Sequence, residues 1–321
     1  MIRPLSYHII LSIVFILVFS VELFPQDKTD DPALYNNAIV KEYNKVVEKS
    51  LCYSLEQVHN DQDEEVAKAR TAVVEQINTA IGTLKDMEGF KGDSKLKNEA
   101  LDILKLYLDA FRVDFKDANE LKKGSNDSYE AMEKYLKSLT KAEKKLQEAG
   151  AQFQKAQQAF AEKNNLKIKS GNTTTNDVLN QVAMINAYCR DFFLIRFKIS
   201  KINAAYLDAL NEKKIAVMDA KRKEMEEFTA ASEKQIKEIK PYEGEKIYYD
   251  QMLEYLAYYS GIATKEYLDL YNIRNSTGRR GSGDIQKYNE IIQGCNQKTP
   301  EMDNKIQEAE LKFRKKYTPK G

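Results

Sequence analysis

Between residues 132 and 160 the apolar positions recur at alternating steps of three and four: Met132, Tyr135, Leu139, Ala142, Leu146, Ala149, Phe153, Ala156 and Phe160. At about 100° per residue these fall on one stripe, which predicts a long helix with a seam buried against neighbours. The same spacing returns in Ile185, Tyr188, Phe192, Ile195, Ile199, Ile202, Tyr206 and Ala209. A further stripe holds Tyr248, Met252, Tyr255, Leu256, Tyr259 and Ala263, and its residues are assigned to a bundle core.

Start and stop signals divide the chain into helices. Asp31 before Pro32 reads as an N-cap with proline at the first helical position, and the helix should run to about Val58. A second helix starts behind Asp63, with Glu64 and Glu65 at the positive end of its dipole, and stops at Gly89. The third occupies about 94 to 121, after which Gly124, Ser125, Asn126 and Asp127 form a turn and a cap. Residues 170–177 are small and polar, as expected of a connection, and Gly294 and Pro300 should break or kink the last helix.

The chain matches itself at a nearly constant offset. At 152 positions Phe90 falls on Tyr242, Gly92 on Gly244, Leu104 on Leu256 and Tyr107 on Tyr259. At 153, Tyr135 falls on Tyr288, Leu139 on Ile292, Cys295 faces Ala142 and Phe160 falls on Phe313. Register held across turn, helix and turn argues for duplication, although any two amphipathic helices can be brought into phase. The expected architecture is all-α: tandem duplicated antiparallel four-helix bundles with long helices. Residues 27–167 form the first bundle, 168–176 a linker, 177–317 the second, and 318–321 a tail.

Composition narrows the function. With 13 Gly and 6 Pro in 321 residues there are few breakers, and 50 basic against 49 acidic residues, mixed along the chain, leave no basic surface for nucleic acid. Residues 1–26 read as a signal peptide: Arg3 precedes an apolar run at 9–19 that is short for a membrane span. A cut after Ser20 or after Gln26 suits it, and Ser20 and Glu22 interrupt the competing reading of an anchor reaching Phe24. Export permits disulfides, yet Cys52, Cys189 and Cys295 cannot all pair within one chain. Cys295, on a seam, is expected to be a small core residue.

Candidate chemistry is sparse. His59 is the sole imidazole after signal removal, and Glu56 with His59 has the Glu-x-x-His spacing of di-iron bundles without the second copy that chemistry needs. The acidic run Asn60, Asp61, Asp63, Glu64 and Glu65 lacks the glycine and glutamate of a calcium loop, and residues 278–284 lack the Lys-Ser/Thr pair of a phosphate loop. No catalytic, cofactor-binding or metal residue is assigned, and no cofactor. The candidate contact surface comprises Ile247, Tyr258 and Ile262, on a different flank from the Tyr248 stripe, with Arg279 and Arg280 in the glycine-rich loop.

The segment Tyr35-Asn36-Asn37-Ala38-Ile39-Val40 entering a long helix, the turn Phe90-Lys91-Gly92-Asp93, and a signal peptide ahead of a Lys/Glu-rich helical body resemble a family of exported helical surface proteins of spirochaetes and related bacteria. The resemblance implies the periplasm or cell surface of a didermic bacterium and no established activity. The expected function is therefore that of a non-enzymatic envelope or surface protein binding a macromolecular partner through helical faces, with no transmembrane span in the mature chain. A membrane-interacting bundle, or an enzyme with a carboxylate or tyrosine site, is the alternative.

Overall fold

The computed structural model describes residues 31–59, 63–167, 175–276 and 281–318, so the expected signal peptide lies outside the described residues. The described chain is all-α, its helices packed against each other, and no strand occurs in it. Two compact units are present, one reaching Met184 and the other Ile185–Tyr317.

In the first unit α1 (Pro32–His59) is followed by α2 (Asp63–Asp86), α3 (Lys95–Asp109), a π-helical segment (Ala110–Asp114), α4 (Phe115–Lys122) and α5 (Tyr129–Lys163). Asp31 caps α1 as expected, accepting from the Ala33 amide at 2.7 Å. The cap of α5 is Ser128, whose hydroxyl accepts from the Ala131 amide at 3.1 Å; Asp127 is held in the turn by the Gly124 carbonyl. The core is aromatic: Tyr43 on α1 stacks on Phe153 of α5 at 3.9 Å and shares a hydroxyl contact of 3.1 Å with Tyr107 of α3. The whole α5 seam is buried except Tyr135, which is partly covered.

The second unit is built from α6 (Thr175–Asn211), α7 (Ile215–Glu238), α8 (Ile247–Thr264), α9 (Glu266–Asn275) and α10 (Ser282–Tyr317). Leu179 and Val182 of α6 belong to the first core and Ile185 onward to the second. The division between units thus falls beyond residues 168–176, of which 168–174 lie outside the described residues. The expected break in the last helix does not occur, and α10 runs through Pro300. Asn296, whose carbonyl loses its helical donor to that proline, is exposed, so water can take the place of the missing amide.

Features recur between the units at the sequence offset. The bounds of α2 and α7 stand 152 positions apart, 63 to 215 and 86 to 238. Lys91 and Gly92 have φ of 49° and 84°, and Glu243 and Gly244 have 47° and 75°. Each turn is closed by one amide-to-carbonyl bond of 2.9 Å, Asp93 to Phe90 and Glu245 to Tyr242. Glycine is required at the second position because consecutive left-handed residues are costly for side chains with a Cβ. The carboxylate after each turn then caps the next helix, Asp93 at the Lys95 amide (2.8 Å) and Glu245 at the Ile247 amide (2.7 Å).

Above each turn lies an aromatic triangle. Tyr35, Phe90 and Phe160 have centroid separations of 5.5, 5.5 and 5.6 Å; Tyr188, Tyr242 and Phe313, one offset later, have 6.0, 5.2 and 5.6 Å. The third helix is also irregular at matching places, by the π segment at Ala110–Asp114 and by the break at Lys265 between α8 and α9.

The two units differ in their fourth helix. Met132, at the start of α5, is 5% exposed, whereas its counterpart Ile285 on α10 is 53% exposed. Full burial of the α10 seam begins only at Met302, and Cys295, expected in the core, is half-buried.

Candidate functional site

The second core contains a cluster of polar groups on α6, α8 and α10. Arg196, 6% exposed, donates from Nη1 to Glu310 Oε2 at 3.0 Å. Arg314 donates from Nε to the other oxygen, Oε1, at 2.9 Å, and from Nη1 to Asn186 Oδ1 at 2.9 Å. The carboxylate is thus held by a guanidinium at each oxygen, the arrangement that makes a buried pair tolerable. Asn186 and Arg196 come from α6, Glu310 and Arg314 from α10, so the network fixes the register of these two helices.

Three further groups border the network. The Tyr248 hydroxyl is fully buried without a hydrogen-bond partner, and burial, reinforced by the Glu310 charge, pushes its pKa well above the ordinary value. Burial likewise pushes the Cys189 thiol up to about 12, which removes its nucleophilicity at neutral pH. Burial raises the Asp303 carboxyl, which accepts a hydrogen bond from Tyr255.

In the first unit, positions one offset earlier carry Ala33, Asn36, Tyr43, Gln157 and Ala161 where the second has Asn186, Cys189, Arg196, Glu310 and Arg314. The neutral version keeps one amide contact between the same two helices, Gln157 Nε2 to Asn36 Oδ1 at 3.4 Å. Arg196 follows the seam residue Ile195 and Glu310 follows the buried Ala309, so the seam pattern alone gave no reason to look for ions there.

The residues singled out from sequence do not form one surface. Ile247 is 65% exposed at the start of α8. Tyr258 is half-buried against the second core, its hydroxyl 2.7 Å from Thr299 Oγ1 on α10. Ile262 is 4% exposed and is corrected from contact surface to core: its flank of α8 faces a second neighbouring helix, which widens the buried stripe. Arg279 and Arg280 lie outside the described residues. Glu56 and His59 close α1, and among the described residues no group of three or more His, Cys, Asp or Glu side chains is arranged to hold a metal ion. No described helix is long and apolar enough to cross a membrane.

Comparison with known proteins returned no matching family model, no matching curated protein and no matching solved structure.

Proposed function

We propose that this chain is an exported, non-enzymatic protein of the bacterial envelope or surface that binds a macromolecular partner through its outer helical faces. The carrying observation is how the side chains with most chemical capacity are used. Arg196, Arg314, Glu310 and Asn186 spend their hydrogen bonds on one another, and Cys189 is buried as a neutral thiol. The outer faces meanwhile carry single large apolar residues, Leu34, Met184, Ile247 and Ile285 among them, that offer contact area to a partner. The resemblance of residues 35–40 and 90–93 to exported spirochaetal surface proteins points the same way. The proposal includes descent of the two units from one duplicated bundle, supported by the matching left-handed turns and aromatic triangles.

Cell fractionation with site-specific photocrosslinking tests this. A benzophenone amino acid in place of Ile247, Met184 or Leu34 should give a discrete adduct in the envelope fraction. Recovery of the whole protein from the cytoplasm, or no adduct from any of the three positions, overturns the reading.

A further inference from the structure

The end of α9 and the start of α10 leave a cleft of about 130 Å³ lined by Ile273, Arg274, Asp284, Ile285 and Tyr288. Arg274 lies over the Tyr288 ring, 4.7 Å from its centroid, and donates from Nη2 to that hydroxyl at 2.9 Å. Its Nε is buried with no acceptor, and no carboxylate lies within ion-pair distance of the guanidinium among the described residues. An arginine so placed is met by the Tyr288 ring and hydroxyl but has no carboxylate partner among the described residues, and its buried Nε lacks an acceptor.

The first unit differs at the matching corner. There the cation at the end of the third helix is Lys122, paired with Asp63 at 3.4 Å. Arg274 is the matching cation 152 positions later, and the position matching Asp63 is Ile215. The start of the fourth helix differs as well, since buried Met132 is matched by exposed Ile285. The first unit thus pairs its cation with a carboxylate, whereas the second leaves Arg274 without an ion pair among the described residues, in an open cleft walled by Ile273, Ile285, Tyr288 and Asp284.

We propose that this recess binds a carboxylate carried on a compact apolar group. The guanidinium supplies charge-assisted hydrogen bonds to the carboxylate oxygens, and Ile273, Ile285 and the Tyr288 ring enclose the apolar part. Asp284 on the rim opposes an anion, but its Oδ2 accepts from the Gly281 amide (3.3 Å), and its place in the first turn of α10 sets its charge against the positive end of the dipole. The recess shares no residue with the crosslinking positions Ile247, Met184 and Leu34, so either proposal can fail alone.

The test is an amide-resolved NMR titration of the full chain with 4-methylpentanoate. Saturable shifts centred on Arg274 and Tyr288 are expected, with binding at least roughly tenfold weaker for the neutral 4-methylpentanamide, for acetate, and for R274Q, and tighter for D284N. I285E, at an exposed position, keeps the fold and should abolish binding, which covers the case of an R274Q protein that does not fold. Saturation also by a short peptide ending in leucine with a free carboxylate, and not by its amidated form, assigns a polypeptide C-terminus as the source; saturation by the free acid alone assigns a small organic acid. Absence of saturable shifts in the unmodified protein, equal binding of the amide, or undiminished binding to I285E or to folded R274Q overturns the proposal.

Discussion

Tyr206 stacks on Tyr267 with ring centroids 3.8 Å apart and planes 5° from parallel, and donates its hydroxyl to the carbonyl of Tyr267 itself at 2.8 Å. This pair ties α6 to α9 just beyond the break at Lys265. The matching residues of the first unit, Tyr53 and Phe115, meet edge-on at 5.1 Å beside the π segment.

Replacing Tyr206 by Phe keeps the ring and removes the hydroxyl, so a loss of about 1 kcal/mol is expected, and Tyr206→Ala about 3–5 kcal/mol. Urea unfolding of the full chain checks this. A change in the Phe variant too small to measure would mean that the hydrogen bond is not stabilising.

The buried ion network gives a sharper contrast. Glu310→Gln leaves two guanidiniums without their anion in the core and should cost about 3–5 kcal/mol, whereas replacing Arg196, Glu310 and Arg314 together by Met, Gln and Leu should cost much less. Denaturant melts of both variants decide it. Equal losses would show that the network contributes stability in its own right.

Two carboxyls should move stability with pH in opposite senses. Burial alone would raise the Asp114 carboxyl, but hydrogen bonds from Lys145 and Lys141 outweigh it and hold the group below the ordinary range. Its contribution is present above the unfolded value of about 4 and is lost as pH falls through the lower folded value, so D114N should flatten the acid limb of the stability curve. Asp303, raised by burial, behaves in reverse: its folded form holds the proton longer, and stability falls as pH rises from about 4 through the folded value. D303N should therefore gain stability at pH 7 relative to the unmodified protein and less at pH 4. A D303N gain that does not grow with pH would refute the assignment.

Thiol chemistry separates the cysteines. All three are unpaired thiols, with Cys52 exposed and Cys189 buried. A disulfide reagent at pH 8 should label Cys52 rapidly and Cys189 only on unfolding, as mass spectrometry of timed digests would reveal. Rapid native labelling of Cys189 would contradict its burial.

Fragments test where the first unit ends. Because Leu179 and Val182 lie in its core, residues 27–184 should melt at a higher temperature than residues 27–167. Identical melting of the two fragments would return the boundary to the linker.

Periodicity alone was enough to place the helices, because a buried stripe must recur every 3.6 residues whichever neighbour covers it. All eight residues of the Ile185 to Ala209 stripe, and all six of the Tyr248 to Ala263 stripe, are buried. The constant offset also located the recurring turns, since left-handed backbone at Gly92 and Gly244 leaves its mark as glycine. Periodicity could not say how wide a stripe is. Ile262 became core because α8 has two neighbours, and Ile285 became exposed because the start of α10, unlike that of α5, is not buried on its core. The π segment at Ala110–Asp114 was not marked by the apolar periodicity either. Nor did the one-dimensional pattern reveal that Arg196 and Arg314 would meet Glu310, or that Arg274 would be left without a carboxylate. Arg314 and Glu310 stand four positions apart on α10, but their burial with Arg196 and Asn186 depends on residues more than a hundred positions away, which only the folded chain brings within reach.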